Sequence, residues 1–230
     1  MNKQTLLNSY LEQIGVSLDG GRLCALVAYC DAVLEANKKF NLTAITDLDA
    51  FYIKHIADSL IGISEIPEGA ALCDIGSGAG FPSVPIAAAR ADVSVTALDS
   101  TAKKMAFVAE GCKSIGLDNL KTVAGRAEEQ RSLFEKFDVV TARAVSSLSV
   151  LLELGMPLLK VGGRLVAYKT DESELQDVRN ALKTLNAVHI NTKFAKLPNG
   201  DGRAVLVFEK TGKTPSQYPR QYGAIKKKPL

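Results

Sequence analysis

Hydrophobic positions change their period once along the chain. Up to about residue 66 they recur at helical spacing: Leu23, Leu26, Val27, Cys30, Val33 and Leu34 follow the i, i+3, i+4, i+7 rhythm of one helix face, and "DLDAFYIKHIADSLIGI" (47–63) offers a second face after an Asp-rich start. "NKKFNLTAI" (37–45) reads as the connection between them, and "IPEG" (66–69) as a boundary. Beyond it, short apolar runs alternate with helical ones. Strands are expected over 71–74, 93–99, 120–124, 137–142, 163–169, 188–193 and 204–208, and helices over 82–90, 101–115, 147–159 and 172–185.

Such alternation predicts an α/β chain with a doubly wound, mostly parallel, seven-stranded sheet covered by helices on both faces. The last two strands are joined by the non-helical "FAKLPNGDGR" (194–203), which predicts a closing hairpin and one antiparallel strand. The organisation read from the pattern is a helical segment over 1–66 packed on the core, a Rossmann-like domain over 67–211 and a basic tail over 212–230.

Composition narrows the class. At 230 residues and 47% hydrophobic content the chain can bury one sizeable core. No run approaches the roughly 18 apolar residues of a membrane span, and the amphipathic N-terminus does not read as a signal peptide, so the expectation is a cytoplasmic protein. The four cysteines, Cys24, Cys30, Cys73 and Cys112, are scattered and the chain has two histidines, so no metal site is expected and the cysteines read as small buried hydrophobes. The net charge is only +3, but the six basic residues over 210–230 (Lys210, Lys213, Arg220, Lys226, Lys227, Lys228) meet no acid there. A basic tail on a slightly acidic body points to an anionic partner such as nucleic acid; the alternative is a solvated, disordered tail.

"ALCDIGSGAGF" (71–81) runs strand, glycine turn, helix, the context in which a doubly wound sheet binds a nucleotide. The spacing separates cofactors. A dinucleotide fingerprint needs G-x-G-x-x-G, and the chain offers Gly76, Gly78 and Gly80 with Phe81 where the third glycine belongs; no Lys-Ser or Lys-Thr follows, which excludes a phosphate-cradling loop. A nucleoside without a pyrophosphate remains. Asp99, ending the second strand, can accept from both ribose hydroxyls, Ala127 and Glu128 after the third strand can meet an adenine edge, and Asp74 is placed to face an ammonium group. That set suits S-adenosyl-L-methionine and hence the class I methyltransferase fold.

The fourth strand ends "VVTARAVSS" with Arg143, without the D/N-P-P-Y/F loop that binds an exocyclic amine, and no cysteine lies nearby for C5 chemistry on cytosine. Guanine N7 has a free lone pair and no proton to lose, so alignment alone would serve it. A small-molecule acceptor leaves the same picture, as does a non-catalytic RNA-binding or assembly protein that only senses the cofactor.

"NKKFNLTAI", "HIADSL", "DIGSGAGFPSVPIA", "LDSTAKKMAFV", "GRAEE", "FDVVTARAV" and "YPRQYGAIKKKPL" together resemble the bacterial ribosomal RNA small-subunit methyltransferase G family, also called glucose-inhibited division protein B, from about Asn37 to Leu230. The resemblance implies methyl transfer from S-adenosylmethionine to guanine N7 in small-subunit (16S) ribosomal RNA, with the RNA or the 30S subunit as partner, and a monomer is expected. It carries cofactor contacts to Gly76, Phe81, Ala127, Glu128 and Arg143; Gly78 and Asp99 join them from their place in the turn and at the strand end. No residue is assigned as catalytic, Arg143 being the candidate for positioning the guanine. Arg220, Lys226, Lys227 and Lys228, interleaved with Tyr218 and Tyr222, are candidates for RNA contact. Asn37, Asn41, His55 and Asp58 match the family pattern without an assigned role; His55 either orients a ligand or is structural.

Overall fold

The computed structural model describes residues 2–230. Seven strands form one sheet in the order β3-β2-β1-β4-β5-β7-β6. They are β1 (Ala71–Ile75), β2 (Ser94–Asp99), β3 (Leu120–Ala124), β4 (Phe137–Arg143), β5 (Leu159–Lys169), β6 (Ala187–Lys196) and β7 (Gly202–Lys210). Neighbours from β3 through β5 pair in parallel, whereas β7 is antiparallel to both β5 and β6. The closing hairpin is therefore present, with one strand reversed. The order turns back between β1 and β4, which opens a crevice at their carboxyl ends.

Residues alternate between two cores because successive side chains leave opposite faces of a strand. Leu72, Val139, Val166, Val205 and Val207 point to one core; Cys73, Val140, Leu165, Leu206 and Phe208 point to the other. The first core is closed by α1 (Lys3–Gln13), α2 (Gly20–Asn37), α3 (Leu48–Phe51), α4 (Asp58–Leu60), α5 (Ser83–Ala89) and α6 (Ala102–Ser114). The second is closed by α7 (Leu148–Gly155), α8 (Arg179–Thr184) and α9 (Tyr222–Lys227). The N-terminal helices thus share a core with the sheet, and Tyr29 of α2 shows how tightly. Its buried hydroxyl donates to the Ala79 carbonyl at 3.0 Å, directly under the glycine turn.

Several elements differ from the sequence expectation for identifiable reasons. The helix expected over 172–185 is a 3₁₀ stretch, Ser173–Asp177, followed by α8. Glu174 is drawn back to accept from the Leu148 N–H and to pair with Lys169 at 2.7 Å, and these tertiary bonds hold the tighter turn. The helix expected over 147–159 ends as α-helix at Gly155, and Met156–Leu158, with Pro157 at its centre, continues as 3₁₀. Between α3 and α4 lies a six-residue π-helical segment, Tyr52–Ala57, a wide turn of the kind often found at functional sites. Cys24 is exposed, unlike the other three cysteines, so it is not a core residue.

The segment 212–230 is neither disordered nor free. Ile225 of α9 is fully buried, Ser149 of α7 donates to the Leu230 carbonyl at 2.9 Å, and Arg220 reaches the fully buried Glu153 of α7 with its backbone N–H, Nε and Nη2. Removing one partner of such a pair leaves a charge uncompensated in the interior, a cost of about 3–5 kcal/mol.

Candidate functional site

Two clefts open side by side at the carboxyl edge of the sheet. The first, of about 160 Å³, lies over the ends of β1, β2 and β3 and brings together Gly76, Asp99, Gly125, Ala127 and Glu128, with Tyr222 of α9 on its outer side. Gly76, Gly78 and Gly80 have φ of 69°, 57° and 87°, the left-handed region that glycine enters without strain. A Cβ on Gly76 would stand 2.7 Å from Cγ2 of Val145, so the turn is pressed against the loop that follows β4. Asp99 anchors it: Oδ2 accepts from Gly78 N–H at 3.0 Å and Oδ1 from Thr101 N–H at 2.8 Å. A carboxylate has about four lone-pair sites, so two backbone bonds leave it capacity for a ribose hydroxyl. Ala127 begins a 3₁₀ turn (Ala127–Glu129), whose first N–H groups have no partner within the helix.

Two expected contacts are placed differently. Phe81 is buried, and its ring faces the N-terminal helices rather than the cleft, stacked on His55 at 4.7 Å and edge-on to Phe51 at 5.7 Å. Asp74 lines neither of the two clefts. It is fully buried beneath the turn, Oδ1 accepting from Thr141 Oγ1 at 2.9 Å, and burial pushes its carboxyl up to about 7 against the pull of that hydrogen bond and of the Arg143 charge.

The second cleft, of about 270 Å³, lies over the ends of β4 and β5 and is lined by Asp58, Arg143, Lys169, Thr170 and Arg203 among others. Val145 lines both clefts and stands between them. Ala144, the first residue after β4, has φ of 55°, a conformation that costs a non-glycine residue about 1–3 kcal/mol and that concentrates at functional sites. Lys169 Nζ donates to the Ser146 carbonyl at 2.9 Å and so pins that loop from β5.

Arg143 is held from the N-terminal helices. Nη1 donates to the Lys54 carbonyl and, at 3.0 Å, to Asp58 Oδ2; Nη2 lies 3.1 Å from His55 Nδ1. A guanidinium only donates, so His55 Nδ1 accepts and its proton sits on Nε2, which donates to Thr43 Oγ1 at 2.7 Å. Burial and then the Arg143 charge push the imidazole down to about 3, which keeps it neutral. Asp58 gives its second oxygen to Arg203 Nε at 2.9 Å. Asn37 accepts from the Leu42 and Thr43 N–H groups and fixes the loop carrying Thr43, while Asn41 stays exposed.

His55 and Asp58, which match a motif without declaring a task, are therefore the supports of Arg143. Arg203 and Lys169 carry no motif, and Tyr222, read as one of the aromatics interleaved with the basic residues of the tail, lines the first cleft. In the tail, Arg220 is paired with the buried Glu153, whereas Lys226, Lys227 and Lys228 are exposed. Among the described residues no cluster of His, Cys, Asp or Glu could hold a metal ion, and no helix is long and apolar enough to cross a membrane.

The architecture is that of the class I S-adenosylmethionine-dependent methyltransferases. A methyltransferase from Aquifex aeolicus superposes with a TM-score of 0.56 at 16% identity, covering 76% of this chain and 98% of that one. M. jannaschii TYW2, solved with AdoMet, gives 0.56 at 17% identity over 68% and 76%. Within that class, the family described as rRNA small subunit methyltransferase G matches residues 22–201. Relatives named ribosomal RNA small subunit methyltransferase G from Streptococcus thermophilus and Lactobacillus johnsonii are each 41% identical, with 96% of both chains covered. The chain belongs to this family. The cofactor of the class is S-adenosylmethionine, and the first cleft fits it: a turn with glycine at every second position, the carboxylates of Asp99 and Glu128 and the first N–H groups of the Ala127 turn offer what a nucleoside needs.

Proposed function

We propose that the protein methylates N7 of a guanine in small-subunit ribosomal RNA. The coarser statement, S-adenosylmethionine-dependent methylation of ribosomal RNA, is the activity of the family to which the chain belongs. When bound, the cofactor supplies a methyl group made electrophilic by its sulfonium. Gly76, Gly78, Asp99, Ala127 and Glu128 are the residues assigned to holding its nucleoside part, and Arg143 to positioning the guanine in the adjoining cleft.

The observation that carries the N7 reading is the chemistry of that second cleft. Among its lining residues there is no cysteine to add to a pyrimidine, and its one carboxylate, Asp58, is spent on two arginines. His55 beside it has both ring nitrogens engaged and is too weakly basic to draw a proton at neutral pH. Such a site suits an acceptor atom that is already nucleophilic, and N7 of guanine is one. Arg143 is a fixed donor of the kind that pairs with guanine O6 and leaves the ring edge in a defined position.

The test is transfer of radiolabelled methyl to small ribosomal subunits from cells lacking the enzyme, followed by mapping. Label on one guanine, with N7 revealed by borohydride reduction and aniline scission, is the expected result, and Arg143→Ala lowers the rate. Label on an exocyclic amine or a pyrimidine carbon refutes the reading, as does cofactor binding with no transfer to subunits or rRNA.

A further inference from the structure

The C-terminal segment does more than present lysines. Tyr222, the first residue of α9, lines the same cleft as Gly76, Asp99, Ala127 and Glu128, so the far end of the chain supplies one wall of a site otherwise built from the first three strands. The ring has a cation over one face, and the helix that carries it is anchored to the core. Arg126 stands over it at 5.4 Å from the centroid, in the segment that carries Ala127 and Glu128. Behind it, Ile225 is fully buried, Arg220 is bound to the buried Glu153, and the Leu230 carbonyl accepts from Ser149. A half-buried tyrosine thereby lines the cleft from a helix anchored on α7.

We propose that Tyr222 is an adenine-binding residue and that the segment from Arg220 to Leu230 is the lid of the cofactor cleft, held shut through the Arg220–Glu153 pair. The proposal rests on the reading of the first cleft as the nucleoside site. A flat aromatic ring beside the strand-three residues meets the face of a base, while Ala127 and Glu128 meet its edge. The same short helix bears Lys226 and Lys227, followed by Lys228, so closing the lid over adenine also fixes the basic patch. Cofactor and RNA phosphate are then sensed by one segment.

S-adenosylhomocysteine, which binds without reacting, is the probe. By calorimetry Tyr222→Ala weakens its binding on the order of tenfold, as loss of a base–aromatic stack does, and Tyr222→Phe restores it. In the unmodified protein, the amides of 221–227 exchange hydrogen more slowly when S-adenosylhomocysteine is present, a readout independent of any variant. If Tyr222→Ala binds within about twofold of wild type while Glu128→Ala and Asp99→Ala lose affinity, the lid is wrong and the cleft is right. If the Glu128 and Asp99 variants also bind normally, the nucleoside site lies elsewhere and the proposal falls with it.

Discussion

Asp58 is the residue on which the second cleft, the proposed acceptor side, turns, and Asp58→Ala measures it. Its two oxygens hold Arg143 at 3.0 Å and Arg203 at 2.9 Å; the three side chains are only 8%, 14% and 16% exposed. Removing one partner of a buried ion pair costs about 3–5 kcal/mol, because the charges left behind have lost both water and counter-ion. Arg143 keeps the Lys54 carbonyl and His55, and Arg203 keeps the Gly202 carbonyl, so the lower end, about 3 kcal/mol, is expected. With a urea dependence near 2–3 kcal/mol per molar, the unfolding midpoint falls by about 1 M. Asp58→Asn keeps the volume and one acceptor but turns an NH2 toward a guanidinium, and falls in between. Single-turnover methyl transfer to small subunits drops in both variants, with cofactor affinity little changed, because Asp58 lines the acceptor cleft only. A double-mutant cycle with Arg203→Met isolates the pair, with an expected coupling of about 1–2 kcal/mol. A loss below about 1 kcal/mol for Asp58→Ala, or strict additivity with Arg203→Met, would show that the network is not the support described here.

Gly111→Ala, in the middle of α6, places a Cβ 2.6 Å from Tyr29 Cε2. Despite the gain in helix propensity it lowers the melting temperature by roughly 3–10 °C, from about 1–3 kcal/mol of overpacking, and an unchanged or raised melting temperature by calorimetry refutes the packing of Tyr29. Replacing Lys226, Lys227 and Lys228 together by Gln reduces by about 2–3 the slope of log affinity against log salt for small-subunit RNA, read by filter binding, and an unchanged slope removes them from the interface. Two buried groups give opposite pH dependences. The His55 imidazole lies near 3 in the fold against 6.5 unfolded, so the unfolded chain binds the extra proton and stability is lost as pH falls from 6.5 toward 3. The Asp74 carboxyl lies near 7 against 3.8, so the folded chain holds the extra proton and stability is lost as pH rises from 3.8 toward 7. The two slopes partly cancel in the wild type; urea titrations at pH 5 and 8 show Asp74→Asn gaining relative stability at pH 8 and His55→Gln gaining it at pH 5, and equal shifts at both pH values refute the burial argument.

The parallel half of the sheet was legible because β1, β2 and β4 are short, largely buried apolar runs, while the partly exposed edge strand β3 is marked by the β-branched Thr122 and Val123 before Gly125. Strand ends were less so. β5 begins at Leu159, four residues before the expected start, since the left-handed Gly162 and a shift of register against β4 let the strand run through "KVGG". That Gly76, Asp99, Ala127 and Glu128 come together in the first cleft was legible because a doubly wound sheet gathers its strand ends at fixed places. Arg203, Lys169 and Tyr222 sit in no such register. Their position depends on where a hairpin, a strand end and the last helix come to rest, and nothing in local spacing records that.

The family motifs far from the cofactor cleft acquire their physical meaning as one chain of contacts. Asn37 fixes the loop that carries Thr43, Thr43 takes the proton of His55, His55 accepts from Arg143, and Asp58 holds Arg143 against Arg203. His55 is also stacked on Phe81, which follows the glycine turn, so one ring touches the supports of both clefts. The π-helical turn carries both partners, His55 and the Lys54 carbonyl that accepts from Arg143 Nη1. Under the proposed N7 chemistry no proton has to be removed, so alignment becomes the main task, and alignment requires that the two clefts not move relative to each other. A neutral histidine with both ring nitrogens engaged, between an arginine and an aromatic ring, is a rigid joint, and in the proposed chemistry that structural role is the one left to it.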